Sequence, residues 1–201
     1  MLTSACLSRT AKPAESFQVT DPRPGWAKFL LQTWFEELGP KDWFGSSDAV
    51  DAMLRERFED TLHTLSDRPA SDFQTGTTTA QAAILLFDQV PRNLYRGTAQ
   101  AFAYDPLALQ LAKDFITSGR DAQLPDAQRQ FIAMPLMHSE ELSDQDASLA
   151  YFTEHLPDNS SFAKSHHEMI ERFSRFPHRN EAIGRSTTKA EQRAIDDGFS
   201  W

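Results

Sequence analysis

The stretch TAQAAILLFDQV, Thr79 to Val90, constrains the fold more than any other part of this chain. A surface helix normally carries one apolar stripe and one polar face. This stretch is apolar nearly all round, interrupted by Gln81, Asp88 and Gln89. A helix of that kind has to be enclosed, so it predicts a central buried helix with others packed about it. Its acidic residue, Asp88, then needs a partner, because an unpaired buried charge is costly.

Helix punctuation recurs on both sides. PRPGWAKFLLQTWFEELGP spaces Trp26, Phe29, Leu30, Trp34 and Leu38 helically and stops at Gly39-Pro40. SSDAVDAMLRERFEDTLHTL starts at a serine cap and repeats apolar positions to Leu65. DPLALQLAKDFITSG has Asp105 at its cap, Pro106 in the first turn and Gly119 beyond the end. LPDAQRQFIAM begins at Pro125 and is expected to break before Pro135. SDQDASLAYFTEHL opens with Ser143 and Asp146 in capping-box spacing, and TKAEQRAIDDGF with Thr188 and Glu191. NSSFAKSHHEMIERF follows Pro157. The fold class is all-α, with about eight helices in antiparallel pairs. The segment 66–79 reads as the longest irregular stretch, an insertion or a flap.

Composition narrows the function. Hydrophobic residues make up 40% of the 201, with 15 phenylalanines, enough for one sizeable core. We therefore expect one helical domain over 21–201 and a weakly ordered extension over 1–20. A formal net charge of −9 argues against a nucleic-acid partner. No apolar run reaches the roughly 20 residues that span a bilayer. The single cysteine, Cys6, excludes an internal disulfide framework and fits the cytoplasm. LTSAC resembles a lipoprotein cleavage box but has no apolar segment before it; a transit peptide is the other reading of this end.

Three charged motifs interrupt the apolar helices: FDQVPRNLYRG at 87–97, MPLMHSEELSDQ at 134–145, and RFPHRNEAIGRSTTKAE at 175–191. The first and third echo each other. Each follows an apolar helix, turns at a proline, and delivers Arg-Asn and then Arg. With the paired WF segments at Trp34-Phe35 and Trp43-Phe44, the three resemble the bacterial domain-of-unknown-function family 924 over about residues 25–195. That resemblance implies an all-helical, tetratricopeptide-repeat-like array and no particular chemistry.

The motifs do carry chemical content. Arg92 or Arg96 is placed to satisfy Asp88, either as a lock between loop and helix or as the wall of an acidic pocket. His138, Glu140 and Glu141 are expected in a short connector, where His138 and Glu141 form a candidate acid-base pair. His166 lies on an apolar face with Phe162, Met169, Ile170 and Phe173, as a core residue or a neighbour of His138. Between Arg172 and Arg185 stand four arginines. Arg172 and Arg175 complement a helix C-terminus. His178, Arg179 and Asn180 follow Pro177, and Arg185 precedes the last helix, as an anion site or as braces for Asp88, Glu140 and Glu141.

No HExxH pair, serine elbow, phosphate loop or dinucleotide fingerprint occurs, so no metal ligand or cofactor is assigned. Three readings follow. The first is a binding module for a small anion or acidic peptide, built from Asp88, Arg92, Arg96, His138, Glu140, Glu141, His166, Arg175, His178, Arg179 and Arg185. The second is a hydrolase or lyase using His138 or His178 with Glu141. The third makes the charged motifs helix-array locks. Oligomeric state is not encoded in any of these features.

Overall fold

The computed structural model describes residues 24–199, all helix and connection with no strand among them. The expectations for residues 1–20 and Cys6 lie outside the described residues. The elements are α1 (Trp26–Gln32), α2 (Pro40–Trp43), α3 (Asp48–Leu65), α4 (Thr77–Asp88), α5 (Val90–Leu94), α6 (Asp105–Thr117), α7 (Asp126–His138), α8 (Leu142–His155), α9 (Ser160–Phe173) and α10 (Lys189–Asp196).

The central helix is α4. Every residue from Ala80 to Val90 is buried, and α1, α6 and α7 pack against it. Its phenylalanine Phe87 meets Phe73 edge-on, with ring centroids 5.3 Å apart. Phe73 belongs to a short 3-10 turn, Ala70–Phe73, and also contacts Trp26. The 66–79 segment is therefore anchored in the core by one aromatic, not a free flap. Its polarity hid this, since every residue from Ser71 to Thr78 except Phe73 is exposed.

From α6 to α9 each helix packs on the next. Short connections make successive helices reverse direction. Pro135 does not end α7, which runs on to His138. Proline removes the bond its N–H would give to Phe131, but neighbouring helices hold the last turn in place. The decisive neighbour is Gln145 on α8, fully buried. Its Nε2 donates to the carbonyls of Leu136, Met137 and Ser139 at 3.4, 2.7 and 2.6 Å. That side chain caps α7 from outside and fixes where His138 sits. The start of α8 is not the expected Ser143–Asp146 box; Glu141 precedes Leu142 without a side-chain cap.

Other ends follow the sequence. Thr188 accepts from Glu191 N, and Glu191 accepts from Thr188 N, closing the capping box of α10. Gly119 ends α6 with φ of 70°, a left-handed conformation that glycine adopts without strain. Between α1 and α2 the chain makes a π-turn, Thr33–Glu37, then an extended Leu38. This places Trp43 Nε1 against the Trp34 carbonyl at 2.8 Å. Trp34, Phe35, Trp43 and Phe44 all reach Phe131 of α7.

Candidate functional site

Asp88 ends α4 and is fully buried. Its Oδ1 lies 2.7 Å from His138 Nδ1, and its Oδ2 accepts from Gln89 Nε2 at 2.5 Å. Arg92 Nη1 stands 3.3 Å from Oδ1 and also donates to the Asp88 carbonyl. Burial pushes the Asp88 carboxyl upward, but Arg92, His138 and Gln89 outweigh it and hold it well below the usual carboxylate range. Asp88 is therefore ionised and can only accept.

A carboxylate on one side fixes the imidazole. Nδ1 of His138 carries the proton, and Nε2 of the neutral ring keeps its lone pair. Burial and then Arg92 push the His138 pKa down against the pull of Asp88, so the ring is neutral near pH 7. The side chain is 11% exposed.

The same arginine extends the network. Arg92 binds Asp105 of α6 with both Nη atoms, at 2.9 and 3.0 Å. Asp105 in turn lies 3.4 Å from Arg179 Nη1. His138, Asp88, Arg92, Asp105 and Arg179 form one chain of alternating partners. It links α7, α4, α5, α6 and the 3-10 turn Pro177–Arg179.

Arg179 is the least satisfied member. It is 7% exposed, its Nε is buried without a hydrogen-bond partner, and the 3.4 Å contact is long. Its guanidinium is clamped between two rings, Phe102 and Phe176, each 4.6 Å from the guanidinium carbon. Burial first, then Arg92, lowers its pKa to about 10.

These groups face an open cavity of about 820 Å³. Among the described residues its lining includes Arg92, Arg96, Arg179, His138, His166 and His178, and no aspartate or glutamate. Gln89, Asn93, Gln130 and Asn159 add neutral polar groups, and Trp43, Phe44, Phe102, Phe152 and Phe162 an apolar wall. Two of those, Phe44 and Phe162, are more than half exposed, which places them toward solvent. His166 donates from Nδ1 to the Phe162 carbonyl at 2.9 Å and stands 6.3 Å, ring to ring, from His138. Burial is the main cause of the low pKa of His166 and of His178, each about 3.

The remaining candidates lie elsewhere. Glu141 is exposed and outside the lining, so it is not the partner of His138; Asp88 takes that place. Glu140 is outside the lining. It accepts from Arg185 bidentately at 2.7 and 2.9 Å and from Phe176 N at 2.8 Å. Arg175 binds Glu191 of α10 at 2.5 and 3.0 Å, so it braces neither Asp88, Glu140 nor Glu141. Arg96 grips Asp51 of α3, not Asp88. Phe162 turns outward instead of joining the apolar face of α9. Asp105 and Phe102 carry no sequence signal beyond helix capping and packing. Among the described residues no group of three or more His, Cys, Asp or Glu is placed to hold a metal ion, and no helix is long and apolar enough to cross a membrane.

Two comparisons bear on this arrangement. The model of a family described as bacterial protein of unknown function, DUF924, matches residues 30–198. A solved structure of a protein of unknown function, ATU0120 from Agrobacterium tumefaciens, is 32% identical, with a TM-score of 0.80. The match covers 86% of this chain and 97% of that one. No curated protein is significantly similar.

Proposed function

The chain belongs to the DUF924 family, and from that premise we propose that it is a binding module whose cavity takes a small organic anion with an apolar part. The observation that carries this is the lining. In a chain of formal charge −9, the described residues of the cavity present three arginines and three histidines and no carboxylate. The acids that neutralise the arginines, Asp88, Asp105 and Asp51, stand behind them. A carboxylate or phosphate entering the cavity meets donors without meeting like charge.

Arg179 supplies the strongest reason. A buried guanidinium with one long contact is costly unless something else completes its shell. Its two flanking rings leave the edge of the guanidinium for a ligand and hold that edge still. Trp43, Phe44 and Phe162 then offer aromatic surface for an aliphatic or aromatic body. We read the scaffold as a tetratricopeptide-like array and place the protein in the cytoplasm.

The lock reading applies to the outer motifs. Arg185 with Glu140 and Arg175 with Glu191 pair bidentately away from the cavity, and each ties the 174–188 turn to a helix or its approach. Calorimetry with phosphate, hexanoate, benzoate and phenylphosphate tests the proposal. We expect the anions with an apolar body to bind best, and Arg179→Met to abolish binding while leaving the helical spectrum intact. Equal, weak binding of all anions to wild type and variant would overturn it.

A further inference from the structure

The cavity also holds the parts of a general-base catalyst. We propose that the Asp88–His138 pair makes it a hydrolytic site for carboxylic esters of small apolar acids. This rests on the anion-binding reading, because the acid released by such a reaction is itself an organic anion with an apolar body.

The geometry supports three roles. Asp88, with Oδ1 2.7 Å from His138 Nδ1, is the positioning residue. It is held in place by Gln89 and Arg92 and cannot turn away. His138 is the last residue of α7, where Gln145 caps the helix, and its ring forms part of the cavity wall. With Nδ1 committed to Asp88, its lone-pair nitrogen is Nε2. Arg179 provides the third role, a fixed cation at the edge of the same space for the charge that develops on a carbonyl oxygen. Among the described residues the lining contains no cysteine or threonine, and its serine, Ser46, is exposed. Water is therefore the nucleophile.

Water forms an O–C bond at the ester carbonyl carbon while its proton passes to His138 Nε2. The negative charge on the former carbonyl oxygen faces Arg179. As the C–O bond to the alcohol breaks, His138 returns the proton to the leaving oxygen. An alcohol departs, and the acid loses its remaining proton to solvent and leaves as a carboxylate. Asp88 stays ionised throughout.

The test uses the full chain with p-nitrophenyl acetate, butyrate, hexanoate and benzoate, read as p-nitrophenol release above the buffer rate. His138→Gln should lower kcat/KM by about 10²–10⁴-fold while hexanoate binding, measured by calorimetry, stays within a few fold. Hexanoate should inhibit competitively in the wild type. Should the variant fail to fold, the wild-type pH profile decides. It should show a single acid limb below pH 6.5, and Asp88→Asn should displace that limb and lower kcat more than it changes KM. Hexanoate binding without turnover above buffer, or turnover unchanged in His138→Gln, overturns the catalytic proposal and leaves the binding module standing. Absence of both binding and turnover overturns both.

Discussion

Replacing Arg179 with methionine should make the protein more stable, which is the opposite of what removing a structural strut does. In the folded chain its pKa falls from 12.5 to about 10. At about 1.4 kcal/mol for each tenfold change, keeping the guanidinium charged in that place costs about 3 kcal/mol. The faces of Phe102 and Phe176, each 4.6 Å away, return about 1–2 kcal/mol between them. Methionine has a similar length, carries no charge and packs well against aromatic rings. The net expectation for Arg179→Met is a gain of about 1–2 kcal/mol at pH 7, or roughly 2–8 °C in Tm for a chain of this size. Because the folded pKa lies below the unfolded one, the unfolded chain binds the proton more tightly. The penalty is therefore constant below about pH 10 and fades as pH rises toward 12.5. Urea unfolding followed by circular dichroism at pH 7 measures the difference. A loss of more than about 2 kcal/mol would show that Arg179 is a brace after all, and would refute the reasoning.

Three further outcomes are expected. Gln145→Ala removes the donor to three carbonyls at the end of α7 and should cost about 2–3 kcal/mol in urea unfolding; a loss under 0.5 kcal/mol would mean water caps the helix as well as Gln145 does. Thr188→Ala opens the α10 capping box and should cost about 1 kcal/mol, with faster amide exchange confined to the first turn of α10. Between pH 6.5 and pH 5 stability should fall steeply: His166 and His178 titrate at about 3 in the folded chain and near 6.5 unfolded, so the unfolded state gains protons first. The two together remove on the order of 4 kcal/mol at pH 5, and an unchanged urea midpoint there would contradict their burial.

Local features were legible in the sequence because their causes are local. The all-round apolar pattern of Thr79 to Val90 gave the buried centre, and Thr188 with Glu191 gave a cap that spans three residues. Asp88 with Arg92 was visible for the same reason, being four apart. Pro135 misled because the force that carries α7 past it comes from Gln145 on another helix. Glu141 misled because it sits three residues from His138 in sequence, while the true partner sits 50 away. Arg96 found Asp51, an acid on α3 that no motif had marked, and Arg175 found Glu191, which the sequence marks as a helix cap and not as an ion-pair partner. Of the apolar half of the cavity only Trp43-Phe44 stood in a marked motif, and nothing tied it to a cavity; Phe102 and Phe162 look like ordinary core residues in a chain rich in phenylalanine.

The linkage from His138 through Asp88, Arg92 and Asp105 to Arg179 has a consequence for how the chain folds. Its members are contributed by segments spread from residue 88 to residue 179, with contacts 50 and 74 residues apart. A nascent chain that has made α4 alone carries a carboxylate at the tip of an apolar helix with only Arg92 at hand. Closing the rest requires loops of that length to be paid in entropy before the reward arrives. The cavity is thus among the last features to be completed and has no private way of coming apart. Amides at the C-terminal end of α7 should exchange only when the whole domain opens. Any ligand that completes Arg179 would then slow exchange across the entire helical array, well beyond the residues it touches.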